Sequence, residues 1–242
     1  MGGAGWCASS LGLRGPGDSG WARNGDCSVT TFAADCLAVG DPLGQPPVLV
    51  GASLGGVSAI LAEGSSDRIV SSGLVVVDIT LKTNPQGLQR IKDFMTSGMN
   101  GFATLEEAAA AISAYTPNRK RKTNPAGLHK VLRLGADSRW HWHWDPRFME
   151  RDINTEVPSS EFQNLFEVAL ANVRVPTLLV RGKLSDVVTE DGVRDFRAKV
   201  PHAKLAEVED AAHMVAGDQN DAFSSAVIDF LENDVRQMLP SG

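Results

Sequence analysis

At 242 residues, with 43% hydrophobic and 21% charged side chains, the chain is long enough to bury a full core and has an ordinary globular composition. A formal net charge of −6 argues against a nucleic-acid partner. The one basic run, Arg119-Lys120-Arg121-Lys122, lies between Pro117-Asn118 and Asn124-Pro125, as a solvated loop does. No apolar run reaches membrane length, and Met1-Gly2-Gly3 lacks the charged and apolar regions of a secretion signal. Cys7, Cys27 and Cys36 are odd in number and match no zinc spacing, so the expected location is the reducing cytoplasm, with no membrane partner.

Residues 5–21, GWCASSLGLRGPGDSGW, read as a short, poor strand running into a Gly-Pro-rich loop, because Cys7-Ala8-Ser9-Ser10 lacks the β-branched residues that a central strand prefers. Ser28 can cap a helix from Val29 to about Val39, with Phe32, Ala33, Cys36 and Leu37 on one face. Next comes Pro47 to Glu63, PVLVGASLGGVSAILAE, around which the chain is organised. Val48-Leu49-Val50 is a buried-strand run, and Val57, Ile60 and Leu61 recur at helical spacing. Between them lies Gly51-Ala52-Ser53-Leu54-Gly55, a G-x-S-x-G pentapeptide. In a strand-turn-helix context this is the nucleophile elbow. Gly51 and Gly55 permit a strained turn that lifts Ser53 Oγ above the sheet edge, and the Leu54 amide at the helix start faces any oxyanion formed there. A dinucleotide-binding turn would need a third glycine where Val57 and Ser58 stand, and Tyr115 is followed by Arg119 rather than the lysine of short-chain reductases. A phosphate-binding P-loop would need Gly-Lys-Ser/Thr, which is absent.

Gly73 to Asp78, GLVVVD, is a second continuous apolar strand, as in a parallel sheet covered on both faces. Residues 80–172 then change to helical segments (Pro85 to Thr96, Leu105 to Tyr115, Pro125 to Leu134, Ser160 to Val173) with no evident strand. An insertion of that length predicts a helical cap, and the expected core is 1–79 with 173–242. Within the insertion, Trp140-His141-Trp142-His143-Trp144 alternates, placing tryptophans on one face and histidines on the other. No acidic or cysteine cluster accompanies the His-x-His, so aromatic packing is favoured over a metal site, and no cofactor or metal is expected. The sheet resumes at Val175 to Gly182, followed by a loop with Asp186, a helix near Glu190 to Lys199, a strand near Ala203 to Val208 and then His213. Asp218 or Asn220 can cap the last helix, on which Phe223, Val227, Phe230 and Leu231 share a face. Strands alternating with helices indicate an α/β, doubly wound, mostly parallel sheet.

A serine nucleophile needs a base, and the base needs an acceptor that fixes its tautomer. Ser53, Asp186 and His213 occur in the chain order of the elbow enzymes, and both partners follow an apolar strand, which brings them to the sheet edge that carries Ser53. Asp78 at the end of GLVVVD is an alternative acid position, and Asp191 is a nearby acid. His202 precedes a strand, and His129, His141 and His143 lie in the insertion.

With Leu13-Arg14-Gly15-Pro16-Gly17-Asp18-Ser19 resembling D-x-R-G-x-G-x-S apart from Gly12 in place of the acid, and HMVAGDQND resembling a catalytic-histidine loop, the chain from about Gly5 onward resembles capped α/β-hydrolase-fold enzymes of the esterase, epoxide-hydrolase and haloperoxidase-like group. The resemblance implies an α/β-hydrolase fold with an inserted cap, Trp142 or Trp144 in the substrate-pocket wall, and Ser53, His213 and Asp186 as catalytic residues with Leu54 in the oxyanion hole. A serine nucleophile points to acyl transfer rather than to the alkyl-enzyme chemistry of carboxylate nucleophiles. The expected partner is a small-molecule ester or lactone. The alternatives are a perhydrolase or carbon-carbon hydrolase of this fold, and a weak or inactive ligand-binding relative. The resemblance also implies an earlier strand and helix whose turn supplies a second oxyanion amide. Only Met1 to Ala4 precede Gly5, so the expectation is a weak enzyme as written.

Overall fold

Gly73-Leu74-Val75-Val76-Val77 is buried at every position, as a strand covered on both faces must be. It forms β2 of a parallel sheet in the order β1-β2-β5-β6, with β1 at Val48–Ala52, β5 at Thr177–Gly182 and β6 at Lys204–Val208. This computed structural model describes residues 5–117, 119, 123–150 and 160–238.

Strand alternation sorts the core into two layers. Leu74, Val76 and Leu179 face one cluster with residues of α1 (Val29–Gly40), α2 (Leu54–Gly64), α5 (Ser160–Asn172) and α6 (Glu190–Lys199). Val75, Val77, Leu178 and Val180 face the other, where the short α7 (Val215–Asp218) contributes Val215, and α8 (Asn220–Phe230) and the following turn contribute Val227, Phe230, Leu231 and Val235. The sheet is therefore wound on both sides, as the sequence periodicity predicts.

Between β2 and β5 lie α3 (Pro85–Ser97), α4 (Leu105–Tyr115) and a small antiparallel pair, β3 (Leu132–Leu134) and β4 (Trp140–Trp142). The pair corrects the all-helical expectation: Pro125–Lys130 is a short 3₁₀ turn, and the alternating Trp-His run forms a strand opposite Leu132-Arg133-Leu134. Phe102, Ala108, Leu128 and Leu132 give this segment its own small core. Helix α5, expected with the insertion, instead presents Phe166, Ala169 and Leu170 to the main core. A Cβ on Gly64 would stand 1.9 Å from the Ala169 carbonyl oxygen, so α2 and α5 meet backbone to backbone and only glycine fits at the crossing.

Two local expectations also change. Residues 6–13 form no strand; Trp6 instead packs beside the α8 cluster and donates its Nε1 hydrogen to Glu232 at 2.8 Å. The last helix is capped by neither Asp218 nor Asn220, since Asp218 Oδ2 accepts from the Ala212 amide at 3.1 Å. Ser28 caps α1 as expected, accepting from the Thr31 amide. Among the described residues β1 is an edge strand, and its Val50 is 45% exposed.

Candidate active site

Ser53 stands between β1 and α2 with φ 49° and ψ −118°, a conformation that a non-glycine residue adopts only under constraint. The constraint comes from the glycines around it. A Cβ on Gly51 would meet the Gly55 carbonyl oxygen at 2.2 Å, and one on Gly56 would meet Ile79 at 2.7 Å. Crowding thus falls at Gly51 and Gly56, whereas Gly55, expected to be the second essential glycine, faces open space. A serine at a helix start normally caps it, but Ser53 makes no side-chain cap bond, leaving its hydroxyl available. The Leu54 amide opens α2, where the helix itself has no acceptor for it.

In the β1/β2 register Ala52 pairs with Val77, so Ser53 and Asp78 are the next residues beyond neighbouring strand ends. The Ser53 amide donates to the Val77 carbonyl at 2.9 Å, and the Asp78 amide to the Val180 carbonyl at 2.8 Å. Asp78 has φ 48° and no exposed surface. Three donors hold its carboxylate: the Gly182 amide to Oδ1 at 3.0 Å, and Ser185 Oγ and His213 Nδ1 to Oδ2 at 2.6 and 2.8 Å. The last contact leaves His213 Nε2 as the basic nitrogen, the tautomer a general base requires.

A family model described as the alpha/beta hydrolase family matches residues 4–226. The chain belongs to the alpha/beta hydrolase family. Among the relatives of this alpha/beta hydrolase is a 3-hydroxybutyrate-oligomer hydrolase of Cupriavidus necator, 27% identical over 172 residues that cover 67% of this chain. The chain spans 57% of that relative's length. Among solved structures, E-2-(acetamidomethylene)succinate hydrolase superposes with a TM-score of 0.77 at 18% identity, over 91% of this chain and 79% of that one. An esterase of Mycobacterium tuberculosis has a TM-score of 0.70 at 25% identity, over 91% and 75% of the two chains.

In this alpha/beta hydrolase Asp186, the acid expected to orient His213, is engaged elsewhere. Arg90 of α3 pairs with it: Nη2 donates to Oδ1 at 2.8 Å, and Nε lies 2.6 Å from Oδ2 as an ion-pair contact without hydrogen-bond geometry. The reason lies in the turn after β5. The Ser185 amide bonds the Gly182 carbonyl at 2.9 Å, and successive side chains of the tight turn diverge, so Ser185 turns inward to Asp78 while Asp186 turns toward the insertion. Asp78 is the alternative acid that the sequence offered at the end of GLVVVD, and its place directly after an apolar strand mirrors that of Ser53 directly after another.

A small recess beside His213 is lined by Arg90, Tyr115, Met214 and Asp218. The Arg90 guanidinium lies 5.2 Å from the Tyr115 ring centroid, and burial pushes the Tyr115 phenol up from its ordinary value, so it stays protonated. Arg119 Nε approaches Asp218 Oδ1 at 3.7 Å. Trp142 and Trp144, expected in the pocket wall, stack on each other with centroids 4.9 Å apart. Trp142 also meets Phe94 and Phe102 edge-on, and Phe94, which stacks on Tyr115 at 4.2 Å, links this cluster to the recess. His141 pairs with Asp137, and among the described residues no group of three or more His, Cys, Asp or Glu could hold a metal ion.

Proposed function

We propose that the protein is a serine hydrolase of carboxylic esters or lactones, with Ser53 as nucleophile, His213 as general base and Asp78 as the acid. The observation that carries this reading is the 2.8 Å bond from His213 Nδ1 to a buried carboxylate that lies one strand from an uncapped, strained serine. The likeness to an M. tuberculosis esterase and a C. necator oligomer hydrolase supports an acyl-transfer reaction.

Ser53 Oγ attacks the acyl carbon while its proton passes to His213 Nε2. The tetrahedral oxyanion then faces the Leu54 amide and the positive end of α2, which stabilise charge that the ground-state carbonyl carries only in part. Asp78 stabilises the imidazolium formed in that step. Collapse expels the alcohol, which takes the proton from His213 and in a lactone remains tethered to the acyl group. Water activated by the same imidazole then hydrolyses the acyl-enzyme and frees Ser53. The recess between Arg90, Tyr115 and Met214 lies beside His213, with Trp142 and Trp144 linked to it through Phe94. Three unpaired cysteines favour a reducing, cytoplasmic setting, and no helix among the described residues is long and apolar enough to cross a membrane.

A fluorophosphonate probe tests the nucleophile. The native chain should be labelled once and Ser53→Ala not at all, with unchanged melting temperature and lost p-nitrophenyl ester turnover. Equal labelling of the Ser53→Ala protein would reject the assignment.

A further inference from the structure

The loop after β5 was expected to supply the catalytic acid; it supplies a hydroxyl to the acid instead. Ser185 Oγ lies 2.6 Å from Asp78 Oδ2, the oxygen that also takes the His213 Nδ1 hydrogen at 2.8 Å. A hydroxyl has one hydrogen to give and two lone pairs to offer. Both lone pairs of Ser185 are used, by the amides of Val187 at 3.2 Å and Val188 at 3.1 Å. Those two residues are wholly buried, so the amides are fixed by the core. The hydroxyl hydrogen is then left pointing at Asp78, and Ser185 has no capacity to accept a proton back from it. Such a one-way donor fixes the orientation of the carboxylate oxygen that it faces. It also holds one carboxylate oxygen in place on a residue whose backbone, at φ 48°, would relax if it were less firmly tied.

Resting on the serine-hydrolase reading above, we infer that Ser185 is a positioning residue of the catalytic apparatus, holding the Asp78 carboxylate aimed at His213. It touches no reacting atom and acts through Asp78. Other charged and titratable groups around His213 are Arg90 and Tyr115 from the insertion, Asp186 paired with Arg90, and Asp218 with Arg119 facing it. All of these remain in a Ser185 variant, so a difference from the native protein isolates the hydroxyl.

The test compares native protein with Ser185→Ala, Ser185→Cys and Ser185→Thr. Removing a neutral donor concentrates the carboxylate's negative charge on His213, so the acid limb of kcat/KM for a p-nitrophenyl ester should move upward by roughly half to one pH unit. At the same time kcat should fall about tenfold at unchanged KM, a modest share of what loss of the acid itself would cost. The low-field proton resonance of His213 Nδ1–H, read by NMR on unliganded protein, should move in the same variants. Ser185→Thr, which keeps the hydroxyl, should restore all three. If Ser185→Ala does not fold, the weakly donating thiol of Ser185→Cys is read in its place, with the same direction expected. A lowered melting temperature with unmoved acid limb and unmoved resonance would overturn the inference and leave Ser185 as a loop brace for Val187 and Val188. The resonance needs no turnover, so failure of the hydrolase reading, seen as labelling that survives Ser53→Ala, is distinguished from failure of this one.

Discussion

Replacing Asp78 and Asp186 separately by asparagine sets the geometric assignment of the acid against the one that the sequence favours. In Asp78→Asn an amide must satisfy three donors with one oxygen. If that oxygen serves the Gly182 amide, whose hydrogen cannot be moved, the NH₂ group faces Ser185 and His213. His213 can then only accept at Nδ1, which puts its proton on Nε2 and removes the base that Ser53 needs. Wrong-tautomer histidines of this kind cost on the order of 10⁴ in kcat, or about 5.4 kcal/mol at 1.36 kcal/mol per decade. If the amide turns the other way, its NH₂ opposes the Gly182 N–H in a site with no exposed surface, at a stability cost of about 1–3 kcal/mol. Asp186→Asn leaves the Asp78–His213 bond intact and weakens only the pair with Arg90, whose two side chains are 41% and 34% exposed. Pairs that exposed contribute roughly 0–1 kcal/mol, so kcat/KM should stay within about fivefold of native. Ester turnover and the rate of fluorophosphonate labelling measure both variants. A hundredfold loss in Asp186→Asn beside a nearly native Asp78→Asn would refute the assignment and imply that the loop rearranges to bring Asp186 to His213.

Two stability predictions test the packing that supports the site. Alanine is a better helix former than glycine by about 1 kcal/mol, yet Gly64→Ala should destabilise by roughly 3 kcal/mol or prevent folding because its Cβ falls on the Ala169 carbonyl; urea unfolding that shows equal or greater stability would mean that α2 and α5 do not meet there. Trp142→Ala should lower stability by roughly 2–4 kcal/mol, or about 5–15 °C in melting temperature, with little change in ester preference, since its ring packs on Phe94, Phe102, Trp144 and Gly98. An unmoved melting temperature with altered acyl preference would put the ring in the substrate wall.

Elements whose pattern repeats within a single segment were legible in the sequence. GLVVVD could be a two-face strand and little else, and Leu105–Tyr115 and Glu190–Lys199 form over the ranges that their periodicity predicts. What misled was pattern without its partner. Trp140-His141-Trp142 alternates as a strand does, but the short run Leu132-Arg133-Leu134 that pairs with it also fits a helix after Pro125, and only the pairing decides. The amphipathic face of α5 was plain, while the surface it covers, α2 across Gly64, lies about a hundred residues away and leaves no local trace.

The sequence ranked Asp186 ahead of Asp78 because chain order constrains which strand end a residue belongs to, and not which way a side chain leaves a turn. Ser53 and Asp78 each follow the last strand residue directly, and in a parallel pair with Ala52 beside Val77 they must emerge side by side. Register alone fixes that juxtaposition. Asp186 lies four residues beyond Gly182, and over that distance each turn residue can reverse the direction of the next. The loop is nonetheless bound into the site, because Gly182 and Ser185 supply two of the three donors to Asp78. The end of β5 and the loop after it therefore reach Asp78 with hydrogen-bond donors, where the sequence also offered a carboxylate. A strand end that must stabilise a neighbour's charge is better served by an amide and a hydroxyl than by a second anion, since two carboxylates sharing one imidazole would raise each other's proton affinity. On that ground the outward turn of Asp186 toward Arg90 suits the proposed role of Asp78: the negative charge of Asp186 is paired with a cation of α3, and the carboxylate bonded to His213 is that of Asp78.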